Sequence, residues 1–334
     1  MSSAAQQIGG PFFEDLHVGQ IFDSAPAVTL TEGFAAVHAS ILGDRLRLPL
    51  DPHLSRRVLG AQLAHPGFAW DMAIGQSTLV THRVIANLFY RGFMFHRAPC
   101  IGDTLYSTTE IVGLRQNRSR PGRAATGLAA LRMRTKDQEG RSVLDFFRCA
   151  MLPLRDPNGD TGRNDNLDAI GGELDPDAMR ASIRGWRLDE FRRAARGIHF
   201  ADLTAGTIFE IAGGDVVSAA PELARLILNI AMPHHDASVG AGVRLVFGGH
   251  TIGLAASQAA RALPNLVTIV AWHSCDHLGP VREGDTLRSS LELERVDPLP
   301  GGGGGLVHVR SRVRADHDGG PQDVLDWRFV GVMA

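Results

Sequence analysis

The segment at residues 226–238, LILNIAMPHHDAS, places four polar side chains directly after an apolar helical pattern. These are Asn229, His234, His235 and Asp236, residue types that bind metals, move protons or end helices. A histidine titrates near neutral pH, so it can serve as the general base of an enzyme. A protonated histidine also interacts favourably with the carboxyl end of a helix, which is the purely structural interpretation. A metal site is disfavoured because adjacent residues rarely point at one ion.

A second group of candidate side chains lies in the strand pattern AWHSCDHLGP. Period-two alternation predicts that His273, Cys275 and His277 share one face of a strand. No other segment supplies a fitting ligand pair for zinc, so we expect this face to line a pocket, with His277 as its candidate site residue. The other cysteines, Cys100 and Cys149, are distant in the sequence, which argues against disulfides and suits a reducing compartment. We predict neither a metal nor a cofactor.

The composition is that of an ordinary globular chain. Its 334 residues, 44% hydrophobic and 21% charged, suit two domains of about 150 residues each. The 34 basic and 36 acidic residues give a net charge of −2, which offers no electrostatic footprint for nucleic acid or an anionic membrane. The first residues, MSSAAQQIGG, do not resemble a secretory signal, and no uncharged apolar run reaches about 18 residues. We therefore expect a cytoplasmic protein without nucleic-acid or membrane partners.

The chain repeats itself once. Three segments recur in the same order at offsets of 187, 182 and 181 residues: FEDLHVGQIF from residue 13 as FADLTAGTIF, GDTLYSTTEI from residue 102 as GDTLRSSLEL, and VLDFFRCAM from residue 143 as VLDWRFVGVM. Three collinear matches indicate a duplicated domain. We predict an N-terminal copy at residues 1–155 and a C-terminal copy at residues 197–334. Residues 156–196 would join them, as a linker rich in Asp, Asn and Gly to residue 176 and a helical segment thereafter.

The same elements are predicted in each copy. Thr31 and Ser218 precede helical patterns as N-cap residues, and in the C-terminal copy the apolar face of that helix runs from Leu223 to Ile230. A helix rich in small residues follows, GFAWDMAIGQSTL in one copy and GGHTIGLAASQAARAL in the other, and alternating strands complete each copy. Small side chains let a sheet approach a helix closely. The pattern predicts an α+β fold in which an antiparallel sheet surrounds a central helix.

These motifs resemble the MaoC-like hydratase family of the hotdog fold, in its tandem, double hotdog form. The resemblance is carried by FFEDLHVGQ, by the two GDTL strands and by GGHTIGLA at the start of the second central helix. The stretch IANLFYRGFMFHRAPCIGDTLYSTTEIVGLRQNR is similar to the mesaconyl-CoA hydratase branch. The resemblance implies an intrachain pseudo-dimer, with further homo-oligomer formation left open. It implies an enzyme that adds water to a 2-enoyl-CoA, or removes it from a 3-hydroxyacyl-CoA, with the acyl-CoA thioester as its partner.

The family's signature loop has the form Gly-Asp-x-Asn-Pro-aliphatic-His, whose Asp and His hold one water. With the histidine at His234, the position of the Asp is occupied by Asn229, which cannot accept a proton. The resemblance therefore implies His234 as the general base and Asn229 as a residue that orients the water. In the N-terminal copy Asp44 is kept, but the position of the histidine is Pro49, so we expect that copy's site to be degenerate.

The resemblance also implies that the triplet Gly248, Gly249 and His250 binds the thioester. At the position of Gly249 its members donate a backbone N–H to the thioester carbonyl, and the free N–H groups at a helix N-terminus suit that role. One such donor typically stabilises an oxyanion by about 3–4 kcal/mol. The alternative is a tight turn that needs two glycines. His235 or Asp236 would be the replacement for the missing carboxylate.

Two other functions stay open. Hotdog thioesterases commonly carry a carboxylate on the central helix, where the C-terminal copy has none and the N-terminal copy offers only Asp71. A protein that binds CoA esters without turning them over would be consistent with Asn229. The Arg-rich segment RQNRSRPGR at residues 115–123 is either a solvated hairpin or a clamp for a CoA phosphate or a substrate carboxylate. The glycines at residues 301–305 lack the Lys and Ser/Thr of a phosphate loop and indicate a hairpin.

Overall fold

The computed structural model describes residues 8–239, 242–317 and 319–334. Within these residues, strands from both copies form one antiparallel sheet. The strands of the N-terminal copy are β1 (Ile21–Phe22), β2 (Val28–Thr29), β3 (Ala86–Phe95), β4 (Thr104–Gln116), β5 (Thr126–Lys136) and β6 (Ser142–Pro153). The strands of the C-terminal copy are β7 (Ile208–Glu210), β8 (Asp215–Val216), β9 (Leu266–His277), β10 (Thr286–Pro298), β11 (Gly305–His317) and β12 (Gly320–Met333).

The two copies join edge to edge through β3 and β9. The strand order is β1-β4-β5-β6-β3-β9-β12-β11-β10-β7, with β2 beside β4 and β8 beside β10. Across the junction, Tyr90 lies opposite Cys275 and Phe93 lies opposite Trp272. Backbone hydrogen bonds therefore continue from one copy into the other, so neither copy has an open sheet edge at the junction.

The helices of the described residues connect these strands and fill the sheet. They are α1 (Glu32–Leu42), α2 (Arg47–Leu50), α3 (Pro52–Leu59), α4 (Pro66–Gln76), α5 (Pro176–Ser182), α6 (Leu188–Ala194), α7 (Ala220–Leu226) and α8 (Gly248–Ala262). Thr31 caps α1 as predicted, because its side chain accepts a hydrogen bond from the backbone N–H of Phe34. In this part of the chain, no helix has the length and hydropathy needed to cross a membrane.

The two helices rich in small residues, α4 and α8, lie against each other on the inner face of the sheet. Every residue of α4 is buried. Gln76 of α4 donates to the carbonyl of Leu105, and Gln258 of α8 donates to the carbonyl of Leu287 in the same way. The two equivalent hydrogen bonds tie each central helix to the second long strand that follows it, α4 to β4 and α8 to β10. This is the α+β arrangement that the sequence predicted.

Aromatic side chains from both copies form the centre of the core. The rings of Phe93 and Trp272 stack with their centroids 3.9 Å apart, and Trp70 packs edge-on against Trp272 at 4.9 Å. Trp70, Trp272 and Trp327 are fully buried. Burial of such large apolar surfaces is the main stabilising contribution at the junction of the copies.

The connection between the copies covers the outer face of the sheet. Met179 of α5 and Phe191 of α6 are buried there against sheet residues that include Val270 and Val330. The sequence predicted one helical segment after residue 176, but the structure contains two short helices. Gly185, with a φ of 84°, lies between them, and this left-handed backbone conformation is incompatible with a continuous helix.

The helix before the candidate site is shorter than the apolar pattern predicted. α7 ends at Leu226, and the backbone turns at Leu228, whose φ is 59°. Ile230 then donates its backbone N–H to the Thr78 hydroxyl of the other copy at 3.0 Å. A contact between the copies thus replaces the last turn of the helix. The predicted cap at Ser218 is also wrong, since the residue before α7 is Ala219 with a φ of 56° and no side-chain cap.

Candidate active site

A cavity of about 320 Å³ lies between the two copies. Both copies line it: the N-terminal copy contributes Ile74, Thr78, Thr81, Val84, Ile85, Ala86, Asn87, Leu88, Tyr90 and Arg148, and the C-terminal copy contributes Asn229, Ala231, His234, Leu245, Val246, Phe247, Gly248, Thr251, His277, Leu278, Gly279, Pro280 and Val281. Of the site residues predicted from the sequence, the cavity brings together Asn229, His234, Gly248 and His277. Its wall is mostly apolar, as expected of a pocket for an organic ligand.

His234 lies on a 3-10 turn, Met232–His234, with its ring in the cavity wall. Its Nδ1–H donates to the carbonyl of Leu245 at 2.8 Å. A carbonyl accepts only, so this bond places the proton on Nδ1 and leaves the lone pair on Nε2, which has no partner among the described residues. Burial lowers the pKa of His234 to about 4, and the Leu245 carbonyl opposes that change. The ring is therefore a neutral base at physiological pH.

Asn229 is buried beside His234, and its orientation is determined by the backbone. Its Oδ1 accepts a hydrogen bond from the N–H of Ala231 at 3.0 Å, which leaves the NH2 group as the end available to a ligand. The N-terminal copy holds this segment in place, since Met232 donates its N–H to the carbonyl of His82 at 2.9 Å. Asn229 can therefore donate to a water but cannot take a proton from it.

The N-terminus of α8 opens onto the same cavity at Gly248. The residue before it, Phe247, provides no side-chain cap, and among the described residues no group accepts from the N–H of Gly248 or Gly249. A Cβ at Gly248 would lie 2.6 Å from the imidazole of His277, so the glycine is required for close packing of this ring. Gly249 and His250 are the next residues of the helix and do not line the cavity. His250 is fully buried, and in the described structure neither ring nitrogen has a partner.

The strand that carries His277 differs from the predicted alternation. The pairing of β9 with β12 shifts register between Trp272 and Ser274, which adds one residue to β9. As a result His273 turns to the other face, where its Nε2 lies 2.8 Å from Nδ1 of His308. Cys275 is buried in the inner core and His277 lines the cavity. The prediction that His273 shares their face was wrong, because a β-bulge reverses the alternation.

His235 and Asp236 do not line the cavity. The Nε2–H of His235 donates to the backbone carbonyl of Asn229. Asp236 is exposed, and its carboxylate accepts from the N–H and hydroxyl of Ser238 at 2.8 and 2.7 Å. Their role as a replacement for the family's carboxylate stays a prediction. In the described parts of the chain, no three His, Cys, Asp or Glu side chains are grouped so as to hold a metal ion.

Two buried carboxylates of the N-terminal copy pair with histidines of the same copy. Asp44 lies 3.0 Å from Nε2 of His65, and Asp71 lies 3.1 Å from Nε2 of His38. Asp71 is fully buried against Gly249 and is absent from the cavity wall, so the one carboxylate on a central helix does not face the candidate site. Burial raises the pKa of Asp71, and its bond to His38 opposes that change.

Arg148 also lines the cavity, although no sequence motif singled it out. It is 3% exposed and lies on β6 between Phe146 and Ala150, which are fully buried. The signal was present in the sequence, since an arginine interrupts an alternating apolar face. The Arg-rich hairpin between β4 and β5 lies elsewhere, where Arg118, Arg120 and Arg123 line a separate surface groove. Its role in binding a phosphate or carboxylate stays a prediction.

The buried histidines predict an acid-sensitive fold. Burial lowers the pKa of His234, His250 and His277 to about 4 each, below the value of about 6.5 expected in the unfolded chain. Between pH 4 and pH 6.5 the unfolded state therefore binds more protons than the folded state. The free energy of unfolding should be highest above pH 6.5 and should fall as the pH decreases towards 4. The slope is at most about 1.4 kcal/mol per pH unit for each group.

Urea unfolding at pH 7, 6 and 5 measures this slope. The N-terminal copy supplies a matched variant, because Phe68 occupies the helix position that His250 occupies in the C-terminal copy. His250→Phe should reduce the slope by up to about 1.4 kcal/mol per pH unit, because it removes one of the groups whose pKa burial lowers. An unchanged free energy of unfolding from pH 7 to 5 in the parent protein would contradict the prediction.

Along most of its length the chain is similar to two proteins named as a dehydratase and a hydratase of CoA esters. It is 29% identical over 304 residues to the β-methylmalyl-CoA dehydratase of Chloroflexus aurantiacus, covering 87% of this chain and 84% of the relative. It is 26% identical over 298 residues to the mesaconyl-CoA hydratase of Cereibacter sphaeroides, covering 86% of each chain. No family model matches the sequence.

Solved structures establish the fold family. RV0216, a conserved hypothetical protein of Mycobacterium tuberculosis with a double hotdog fold, is 51% identical, with a TM-score of 0.91 over 98% of this chain and 100% of that one. A protein named as a MaoC domain dehydratase from Chloroflexus aurantiacus is 26% identical, with a TM-score of 0.83 over 99% of each chain. The predicted double hotdog fold and the family resemblance are confirmed. This chain belongs to the MaoC-like family of double hotdog proteins.

Proposed function

We propose that this protein catalyses the reversible addition of water to a 2-enoyl-CoA, giving a 3-hydroxyacyl-CoA. The observation that supports it most directly is that the free Nε2 of His234 and the uncapped N-terminus of α8 open onto one cavity. Hydration of an enoyl thioester needs a base for water and a donor for the thioester oxygen. The two relatives named as a hydratase and a dehydratase of CoA esters are consistent with this chemistry.

In the proposed hydration, Nε2 of His234 accepts a proton from a water held by the NH2 group of Asn229. The water oxygen forms a bond to C3, and the electron pair of the double bond moves towards the thioester to give an enolate. The backbone N–H of Gly248, which lines the cavity, donates to the enolate oxygen, and Gly249, the next residue of α8, contributes through the positive end of the helix dipole. The proton on His234 then passes to C2. Dehydration follows the same steps in reverse.

Among the described residues, no carboxylate lines the cavity with His234, which distinguishes this site from the family's Asp and His pair. A general base works best when its pKa lies near the working pH, and burial holds the pKa of His234 at about 4. A ligand that brings negative charge close to the ring would raise that pKa. We propose that substrate binding, rather than a protein carboxylate, supplies this effect.

The N-terminal copy is proposed to support the site rather than to form a second one. Its Asp44 is paired with His65, and the position of the loop histidine is Pro49. Thr78 and His82 instead hold the backbone of the segment that carries Asn229. We propose the same domain division as the repeat predicts, with copies at 1–155 and 197–334 and a joining segment at 156–196.

The proposal is tested by incubating the protein with crotonyl-CoA, longer 2-enoyl-CoAs and mesaconyl-CoA. The absorbance of the conjugated thioester and the concentration of free thiol are followed together. We expect the absorbance to fall without release of thiol, because water adds to the double bond and the thioester stays intact.

Two other results would assign a different function. Release of free thiol would indicate a thioesterase. A stable absorbance with every substrate, combined with saturable binding of CoA esters, would indicate a binding protein in which Asn229 has removed catalysis.

A further inference from the structure

Arg148 is a buried cation with no counter-ion among the residues that the structure describes. Its NH2 group donates to the hydroxyls of Ser77 and Thr81 at 2.6 and 2.8 Å, and its NH1 group lies 3.4 Å from Oδ1 of Asn87. These partners are neutral, and no carboxylate of the described residues forms an ion pair with it. Burial lowers the pKa of the Arg148 guanidinium, which shows that its charge is poorly solvated. Isolated buried charges are costly, so they normally have a partner.

A second unpartnered donor lies beside this cation. Asn87 also lines the cavity, and its Nδ2 is buried without an acceptor among the described residues. The guanidinium offers only donors, so Oδ1 of Asn87 must face it and the NH2 group is left without a partner. Nε of Arg148 is likewise without an acceptor in this part of the chain. Together these groups need an acceptor-rich, negatively charged ligand.

The fold itself does not require a cation at this position. Arg148 lies opposite Tyr90 in the pairing of β6 with β3, and Phe329 lies opposite Trp272 in the pairing of β12 with β9. Tyr90 and Trp272 are separated by 182 residues, the same offset as the two GDTL strands. The C-terminal copy therefore fills the equivalent position with an apolar aromatic side chain. Of these two equivalent positions, only Arg148 on β6 lines the cavity, and it is the one that is not apolar.

We propose that Arg148 and Asn87 bind a carboxylate on the acyl group, so that the substrate is a short 2-enoyl-CoA that ends in a carboxylate. This inference rests on the proposed function and specifies its substrate class. The phosphates of CoA do not fit, because the pantetheine arm separates them from the thioester, whereas Arg148 and His234 line the same cavity. A guanidinium can bind a carboxylate through two parallel hydrogen bonds, which also orients the acyl chain.

Binding of a carboxylate at Arg148 would also raise the pKa of His234, the proposed base. The positive charge of Arg148 is among the causes that lower the pKa of His234, after burial and the charge of His235. A substrate carboxylate would offset that charge and leave His234 better able to accept a proton. Recognition of the substrate and activation of His234 as a base would then depend on the same ion pair.

The test compares pairs of CoA esters that differ only in a carboxylate or a methyl group. Mesaconyl-CoA and 2-methylcrotonyl-CoA serve for hydration, and succinyl-CoA and butyryl-CoA, which cannot be hydrated, serve for binding. We expect the parent protein to prefer the carboxylated member of each pair by roughly 10- to 100-fold, because hydrogen bonds to charged groups are the strong ones. Arg148→Gln should abolish both preferences, and Arg148→Lys should restore part of them.

The outcomes separate the two proposals. Equal hydration of mesaconyl-CoA and 2-methylcrotonyl-CoA would overturn the carboxylate site and leave the hydratase function intact. Hydration of neither ester, with selective binding of succinyl-CoA that Arg148→Gln removes, would support the site and contradict the hydratase. A purely structural role for Arg148 predicts that Arg148→Met lowers the melting temperature of the unliganded protein. We expect no decrease, since removal of an unpaired buried charge is not destabilising.

Discussion

Replacing His234 with asparagine is expected to lower kcat/KM for the hydration of an enoyl-CoA by about 10²- to 10⁴-fold, the usual contribution of a general base. Asparagine keeps an N–H that can donate to the carbonyl of Leu245, which Nδ1 of His234 bonds at 2.8 Å in the parent protein. It has no group that accepts a proton from water. The loss should appear mainly in kcat, with a small change in KM, because the base acts in the transition state.

A histidine far from the cavity provides the control for this variant. His96 is exposed just beyond the end of β3 that lies away from the cavity. His96→Asn should leave kcat/KM unchanged. Circular dichroism and the urea midpoint establish that both variants are folded. Parent-like turnover by folded His234→Asn would show that another group activates the water.

Replacing Gly75 with alanine is expected to lower both the free energy of unfolding and turnover. A Cβ at Gly75 would overlap the backbone carbonyl oxygen of Ile227, which belongs to the other copy. A backbone atom cannot rotate away, so the segment that leads to Asn229 must move. Overpacking of this kind typically costs about 1–3 kcal/mol. A displacement of about 1 Å in a site can reduce a rate about 10²-fold.

The same substitution elsewhere in the chain gives the comparison. Gly33 lies in the first turn of α1, is exposed, and has Thr31 Oγ1 as the nearest atom to an added Cβ, at 4.0 Å. Gly33→Ala should be neutral or stabilising by up to about 1 kcal/mol, because alanine favours a helix over glycine. Urea unfolding and kcat/KM are measured for both variants. The proposed contact would be refuted by equal stabilities and equal activities of the two variants.

Several elements were predictable because their causes are local. Thr31 was recognised as an N-cap because the position before a helix favours a side chain that accepts from the backbone. The small-residue pattern predicted α4 and α8, and the alternating patterns predicted the long strands. The internal repeat then specified two copies of one unit, which together with the family motifs led to the double hotdog fold.

The errors arose where contacts between distant segments changed a local pattern. The apolar face of α7 continues to Ile230 in the sequence, but Thr78 of the other copy binds the backbone N–H of that residue. The strand pattern placed His273 with His277, but pairing with β12 introduces a bulge between them. Both outcomes depend on partners more than 35 residues away, which periodicity within one segment does not describe.

The candidate site divides in the same way. Residue types and spacing singled out Asn229, His234 and His277, and the family resemblance added the glycines at the start of α8, with Gly249 as the expected donor. The sequence alone thus determined the repeated unit, the elements within it, and the C-terminal copy as the bearer of these groups. Only the tertiary structure placed Arg148 in their cavity. The alternation of β6 shows that this side chain shares an apolar face, but the packing of β3 against β9 determines that the face meets the other copy's loop.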